Sequence, residues 1–457
     1  MSNPPLDQQM SCTSGPLVLM ISYDFFPSTQ IGARRTSALA KFLVTQGYRV
    51  AVISAFGERD VTAGSQIMPG IIAVPLRRPP RILIDSIVTL KRRITKSTAH
   101  VKTPSRGASP GRTTASPIPH HTPKETFFRV LCFVDEFKRW SWRASRAAIN
   151  TAKEYNPALI ISSGPPNSAL VAGAFAARKL RIPHIADLRD PWTDSITANP
   201  RYRIDYLLQR PLEKWVVRTA ARITSAGANV ANLLATRYPG SRHKIIVVRN
   251  GYDGNSVTEK SNTNGKLSIL FAGELYLGRN PFPILESLET LLQRSDVDAD
   301  RVRITFMGRV EHYAGRSLPD WVNGKQIARV TTILPHSPTE VVNRVASDST
   351  LLLNLAQQQP YSVPAKTYEH LTSGREILVI CESDSETADV IRGIRGVNQV
   401  DPRNAGELDR KLLELYRRHA IQGVMTVPEP EDVQRFSRAA ANEEFLKIIK
   451  EVIKPDH

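Results

Sequence analysis

Cysteine is scarce in this chain: three residues, Cys12, Cys132 and Cys381, among 457. They stand far apart and match no metal-binding spacing, so neither a disulfide framework nor a thiolate metal site is expected; they read as reduced thiols in an intracellular protein. No apolar run reaches the roughly 18 residues of a membrane-spanning helix. The first residues, MSNPPLDQQM, lack the basic-then-apolar order of a secretory signal. The expected location is the cytoplasm, free or peripheral on the inner face of the cell membrane. Several catalytic signatures are absent as well. There is no Gly-x-Gly-x-x-Gly fingerprint, no Walker loop, no Gly-x-Ser-x-Gly elbow and no His pair at zinc spacing.

Acidic residues are in short supply: 43 against 61 Lys and Arg, a net charge of +18. Such an excess concerns partners rather than fold. Half of it sits in residues 76–125, where eleven Lys and Arg face two acids. Within that stretch 102–124 is rich in Ser, Thr, Pro and Gly without apolar periodicity, the composition of a disordered loop. Just before it, RILIDSIVTLKRRI (81–94) mixes Ile, Leu and Val with four basic residues. Two readings stay open for 81–124. One is a surface that lies on an anionic membrane; the other is a solvated insertion. Nucleic acid is not expected, because no aromatics interleave the charge and no recognised module is present.

With 41% apolar and 23% charged residues, 457 positions suit two or three globular domains. Strand and helix signals alternate twice along the chain. PLVLMISY (16–23), a loop, a helix over Thr36–Gln46 closed by Gly47 and a strand at 49–55 open a doubly wound parallel sheet. A helix over 135–155, a strand at 158–164, a helix at 167–180 and a strand at 181–188 continue it. A helix at 203–220, a strand at 221–227, a helix at 230–237 and the segment 244–253 end the first half. The polar stretch 254–265 reads as a linker. Strands at 266–275, 301–309, 328–336, 349–356 and 375–383 then alternate with helices at 281–294, 337–348, 365–374, 385–394 and 406–419. Ser337 and Glu340 form the pattern of a capping box. A last helix covers about 430–453. The domains expected are 16–253 with a basic insertion at about 81–126, 266–430, and a C-terminal helix at 431–457 returning to the first. In open α/β sheets ligands bind at the carboxyl ends of strands.

Candidate residues therefore lie in the loops after strands. Gly32, Arg34 and Arg35 stand between the first strand and its helix, where a glycine allows close backbone approach and arginines suit an anion. A flexible loop with solvated arginines explains them equally. Ser162 and Ser163 precede Pro165-Pro166 at a strand end. In ADLRDPWTD (186–194), Asp187 falls on the core side by alternation, leaving Arg189 and Asp190 as exposed candidates; a plain Asp–Arg pair with Trp192 as packing is the competing reading. In FAGELYLGRNP (271–281), Arg279 can reach a phosphate at the next helix N-terminus. Lys366 and Glu369 share a helix face. They suit a diphosphate and a ribose, or simply each other as a surface ion pair.

Taken together these segments resemble glycosyltransferase family 4 of the GT-B fold. The carrying residues are PSTQIGARRTSALAKFLVTQGYRVAVIS, VDEFKRW, SSGPPNS, ADLRDPW, VRNGYD, AGELYLGRNP and PAKTYEHLTSGREIL. The resemblance spans nearly the whole chain outside 81–126. It implies two Rossmann-like domains facing each other across a cleft, and a retaining enzyme that moves a sugar from a nucleotide-diphosphate sugar to a glycan or lipid-linked acceptor. Surface polysaccharide or glycolipid assembly is the implied setting. It assigns Glu369 to the donor ribose, and Gly32, Arg34, Gly273, Arg279, Lys366 and Asn250 to the donor's surroundings. Arg279 and Lys366 would stabilise the leaving diphosphate. Ser163, Arg189 and Asp190 fall on the acceptor side, with Asp190 orienting the acceptor hydroxyl. Two positions depart from the family. Tyr361 stands where a first glutamate is frequent, and Arg189 stands where many members have histidine. No Asp-x-Asp pair ends a strand, so neither metal nor cofactor is expected. Two other classes fit a fold of this kind: a sugar-nucleotide epimerase and a non-catalytic basic scaffold.

Overall fold

Strand β1 (Leu17–Ser22) is buried along its whole length, as a strand must be when helices cover both faces of its sheet. The protein is represented by a computed structural model that describes residues 15–28, 30–55, 66–76, 135, 137–194, 203–254, 264–276 and 278–453. The segments 81–94 and 102–124 lie outside the described residues, and so does nearly all of the linker. The chain divides into two compact units. Met1–Ser225, Leu234–Ile246 and Phe445–His457 form the first; Ala226–Leu233 and Val247–Glu444 form the second.

In the first unit β1 is followed by α1 (Ile31–Thr45), β2 (Arg49–Ser54), β3 (Gln66–Met68), β4 (Ile71–Pro75), α2 (Lys138–Tyr155), β5 (Leu159–Gly164) and α3 (Asn167–Leu180). Then come β6 (His184–Leu188), α4 (Arg203–Thr219), β7 (Arg222–Ser225), α5 (Ala228–Arg237) and β8 (Ile245–Val247), although α5 up to Leu233 and Val247 of β8 group with the second unit. The sheet order is β3-β4-β2-β1-β5-β6-β7-β8. Its direction reverses between β1 and β5, which are parallel neighbours. One core layer joins Leu17, Leu19 and Ile21 to Trp140, Ala144, Ala148, Ala169, Ala172 and Ala176. The alanines let α2 and α3 lie close together on the sheet. Trp140 fills the remaining space edge-on to Tyr23, with centroids 5.1 Å apart.

The second unit runs β9 (Leu267–Glu274), α6 (Phe282–Leu292), β10 (Val302–Arg309), the hairpin β11 (His312–Tyr313) and β12 (Arg316–Ser317), α7 (Leu318–Val322), β13 (Thr331–Leu334) and α8 (Thr339–Ser347). It continues with β14 (Leu351–Leu355), α9 (Ala365–Leu371), β15 (Glu376–Ile380), α10 (Glu386–Ile391), β16 (Val397–Val400), α11 (Glu407–Tyr416), α12 (Pro430–Val433) and α13 (Arg438–Ile453), the last of which groups with the first unit from Phe445 on. The sheet order β13-β10-β9-β14-β15-β16 reverses between β9 and β14. The five neighbouring pairs in this sheet are all parallel, so the loops after β9 and β14 emerge at one edge.

Four local expectations change. Helix α1 begins at Ile31, not Thr36, so Gly32, Arg34 and Arg35 lie in its first turn. No side chain caps it; burial of Arg35 against Asp187 draws those residues into the helix. The capping box does not form. Pro338 is the N-cap of α8, placing Glu340 one position too early, and Ser337 Oγ donates to the Pro335 carbonyl at 3.1 Å. The last helix is broken between α12 and α13. There the Tyr252 N–H donates to Phe436 O at 3.1 Å and the Arg438 N–H to Tyr252 O at 2.9 Å, pulling the backbone out of the helical ladder. Residues 226–233 and 247–253 group with the second unit, and 445–457 with the first.

Candidate functional site

In the second unit the strand order reverses between β9 and β14, and the carboxyl ends of the strands at such a switch point are the usual ligand position. Two loops meet there. The loop after β9 carries Gly278 and Arg279, and the loop after β14 carries Gln357 and Gln359. They pack tightly. Gln357 Nε2 donates to Asn280 O at 3.0 Å, and a Cβ on Gly278 would stand 2.1 Å from Gln357 O. Glycine is therefore required there by contact between the loops. At Gly273 the nearest neighbours of an added Cβ belong to Phe271, at 3.6 Å. The demanding contact is at its strand partner Gly308, whose φ is +128° and whose Cβ would meet Gly273 O at 2.0 Å.

Arg279 lies over the Tyr276 ring, 4.4 Å from its centroid, and Nη1 donates weakly to Glu274 O at 3.4 Å. Its Nε is buried and has no hydrogen-bond partner. Burial pulls its pKa below the usual arginine range, against the pull of Tyr276 and Glu274. Gln357 Oε1 and Gln359 Nε2 are also buried without partners. An unsatisfied buried polar atom costs about 1–3 kcal/mol. These three atoms lie in two adjoining loops. The glutamines escaped sequence reasoning, although the run Gln357–Gln359 directly after a strand was a visible signal.

Lys366 and Glu369 stand on α9, which is tied to β14 by Asn354 Nδ2 donating to Thr367 Oγ1 at 2.6 Å. They pair with each other at 2.8 Å and are both partly exposed. Tyr361 lies half-buried in the loop between β14 and α9. Asn250 lines a cavity of about 680 Å³ with Arg249, Arg392, Arg435 and Phe436; Gly273, Arg279, Lys366 and Glu369 do not line it. Its neighbour Gly251 is required by the chain, since a Cβ there would lie 2.3 Å from Phe436 O.

In the first unit Asp187 is the centre of a buried cluster. It accepts from Arg35 Nε at 3.2 Å and Nη2 at 3.1 Å, from Ser163 Oγ at 2.8 Å and from Thr224 Oγ1 at 2.8 Å. Burial raises its pKa, but the charge and hydrogen bonds of Arg35 outweigh that and hold it below the usual range. The hydroxyl of Ser163 is thus committed to this cluster. Arg35 also lies under the ring of Phe445 at 5.1 Å, which anchors the end of α13. Ser162 Oγ and His184 Nε2 are 2.7 Å apart. Both are buried within strands, so they are packing partners rather than a nucleophile and base.

Arg189 ties the first turn of α1 to the end of β5 and the loop after it. Nη1 donates to Gly32 O at 2.6 Å, Nε to Gly164 O at 3.1 Å and Nη2 to Pro165 O. A Cβ on Gly32 would be 3.0 Å from Nη1, so this glycine makes room for Arg189. Arg34 is exposed beside it. Asp190 is half-buried; burial pushes its carboxyl pKa up, with Arg189 opposing. A carboxyl of raised pKa at a strand end is suited to hold or accept a proton.

The fold defines an α/β protein of two doubly wound units, each with a switch point in its strand order. Residues 103–255 match the family model Glycosyltransferase Family 4. No curated protein matches the chain. Solved structures with the same fold include a glycosyltransferase from Rickettsia africae at 14% identity and TM-score 0.55, covering 97% of this chain and 100% of that one. Anabaena Alr3699/HepE in complex with UDP is similar at 12% identity and TM-score 0.54, covering 95% and 99%. The lipopolysaccharide outer core galactosyltransferase WaaB is similar at 13% and 0.58, again covering 95% and 99%. Part of the chain thus matches the family 4 model, and the chain as a whole has the fold of solved glycosyltransferases of GT-B type. Neither an epimerase nor a non-catalytic scaffold is favoured.

Proposed function

We propose that the protein takes a nucleotide-diphosphate sugar as donor and transfers the sugar, with retention, to a glycan or lipid-linked acceptor in surface polysaccharide or glycolipid assembly. The observation that carries the donor assignment is the buried, partnerless Nε of Arg279 at the β9/β14 switch point. A diphosphate is the ligand best matched to a guanidinium held there. Gln357 and Gln359 offer a neutral acceptor and donor beside it, suited to sugar or ribose hydroxyls. Support for the ligand class comes from Alr3699/HepE, solved with UDP. For the acceptor class it comes from WaaB, described as a lipopolysaccharide core galactosyltransferase.

In this reading the bond between the sugar C1 and the diphosphate oxygen breaks while C1 bonds to the acceptor oxygen. The acceptor hydroxyl passes its proton to the departing diphosphate oxygen, and the nucleoside diphosphate leaves. Arg279 and Lys366 stabilise the charge growing on the leaving group. Glu369 accepts from the ribose hydroxyls once it exchanges its Lys366 pairing for them. Asp190 orients the acceptor hydroxyl. Gly32, Arg34 and Asn250 are further candidates for donor binding, and Ser163 and Arg189 for the acceptor side, where they shape the loops of the first unit. The proposal includes no resident metal or cofactor, and it keeps peripheral attachment to an anionic membrane through 81–124, supported by the charge of that stretch. The test is release of nucleoside diphosphate that depends on added acceptor. Release by wild type and its loss in Arg279→Ala support the reading; acceptor-independent release, or no release with any donor, opposes it.

A further inference from the structure

Helices α2 and α3 of the first unit pack side by side through small residues. Ser141 Oγ donates to Ser168 O at 2.6 Å, and Ala144, Ala148, Ala169 and Ala172 are buried with them. Their outward faces are unusual. On α2 the exposed positions include Arg139, Trp142, Arg143, Arg146 and Lys153, a stripe at spacings of three, four and seven. On α3 they are Phe175, Arg178 and Lys179. Together the two helices hold seven Lys and Arg and one acid, Glu154. Trp142 is 62% exposed and Phe175 52% exposed, although α2 buries its other tryptophan, Trp140, to 1%. The guanidinium of Arg146 caps the Trp142 ring at 4.7 Å.

We propose that this α2–α3 face is a docking surface for an anionic lipid bilayer. Singly exposed apolar residues are ordinary on protein surfaces; Trp142 differs in standing among Arg139, Arg143 and Arg146. Set among arginines, its amphipathic ring matches the interfacial zone of a bilayer, and the guanidiniums match lipid phosphates. The absence of acids up to Glu154 at the helix end is the charge complement of an anionic leaflet. Nucleic acid fits less well, since the two exposed aromatics sit on separate helices and form no stacking series. The inference stands apart from segment 81–124 because it rests on described helices. It deepens the reading of a lipid-linked acceptor, but its test does not use activity.

The test is flotation of the full chain with vesicles of phosphatidylcholine alone and with about a third phosphatidylglycerol added. Wild type is expected to float with the anionic vesicles only. Trp142→Ser with Phe175→Ser, and separately Arg139→Gln with Arg143→Gln and Arg146→Gln, are expected to weaken partitioning by on the order of tenfold or more. Far-UV circular dichroism and melting of these surface variants are expected to match wild type. The intrinsic emission of Trp142 is expected to shift to the blue on binding and to lose that shift in Trp142→Ser. Flotation unchanged in both variants overturns the proposal. So does flotation that vanishes only on deletion of 81–124, or binding of single-stranded RNA in place of the vesicles.

Discussion

The guanidinium of Arg189 donates to the Gly32 carbonyl at 2.6 Å, and the missing Cβ of Gly32 is what gives it space. A motif that suggested a glycine close to phosphate is, in the described structure, a glycine close to an arginine. This has a testable consequence. Gly32→Ala gains up to about 1 kcal/mol of helix propensity and displaces a side chain held by three carbonyls. In wild type the displacement should prevail, with a loss of roughly 1 kcal/mol. In an Arg189→Ala background the same change should be neutral or stabilising. A double-mutant cycle read by urea unfolding should give a coupling of about 0.5–3 kcal/mol.

Asp187 offers a second prediction. Asp187→Ala leaves Arg35 buried without its carboxylate, a loss of about 3–5 kcal/mol. Its carboxyl titrates below its unfolded value. Its contribution is therefore full above the unfolded pKa of about 4 and is lost as pH falls through the folded value. Acid unfolding of wild type below about pH 4 should be steeper than that of Asp187→Ala.

Histidine governs a higher window. Burial lowers His184 to about 3 and His370 to about 4. Both stay neutral in the fold and charge once unfolded, so the unfolded chain binds more protons between those values and about 6.5. Stability should fall on acidification through that range, by at most about 1.4 kcal/mol per pH unit for each histidine. His184→Gln should flatten the slope by one proton, measured as the pH dependence of the denaturant midpoint.

Lys366 and Glu369 form a partly exposed pair at 2.8 Å, and such pairs are worth less than about 1 kcal/mol. Substituting either by alanine should leave melting nearly unchanged. The proposed donor role predicts a rise in donor KM for Glu369→Ala and a fall in kcat of about 100-fold for Lys366→Ala. Wild-type kinetics in both variants would reduce the pair to a surface contact.

Local periodicity made much of the fold legible. The helix at Asn167–Leu180 and the strand β9 follow directly from apolar spacing. The short strands β3, β4 and β16 were not legible, because three to five residues carry too little pattern. The break between α12 and α13 was hidden because it arises from pairing with Tyr252, distant in sequence. The same limit applies at the site. Arg279 was found because it follows a strand and precedes a helix. The Asp187 cluster was missed because Arg35, Ser163 and Thr224 meet it only through the sheet. Glu386 stands out by no sequence pattern within the helix expected at 385–394. It is a buried carboxylate that accepts from the Ala228 and Asn229 backbone and pairs with Arg249.

The central claim is that Arg279 receives the donor diphosphate. Titration calorimetry of wild type and Arg279→Ala with UDP, GDP, ADP and dTDP tests it directly. The expected result is saturable binding of at least one of them by wild type. Arg279→Ala should bind it at least tenfold more weakly, as expected for a lost charge-assisted hydrogen bond of about 1.5–3 kcal/mol. Equal affinity in the variant, or no binding of any nucleoside diphosphate by wild type, would contradict the assignment.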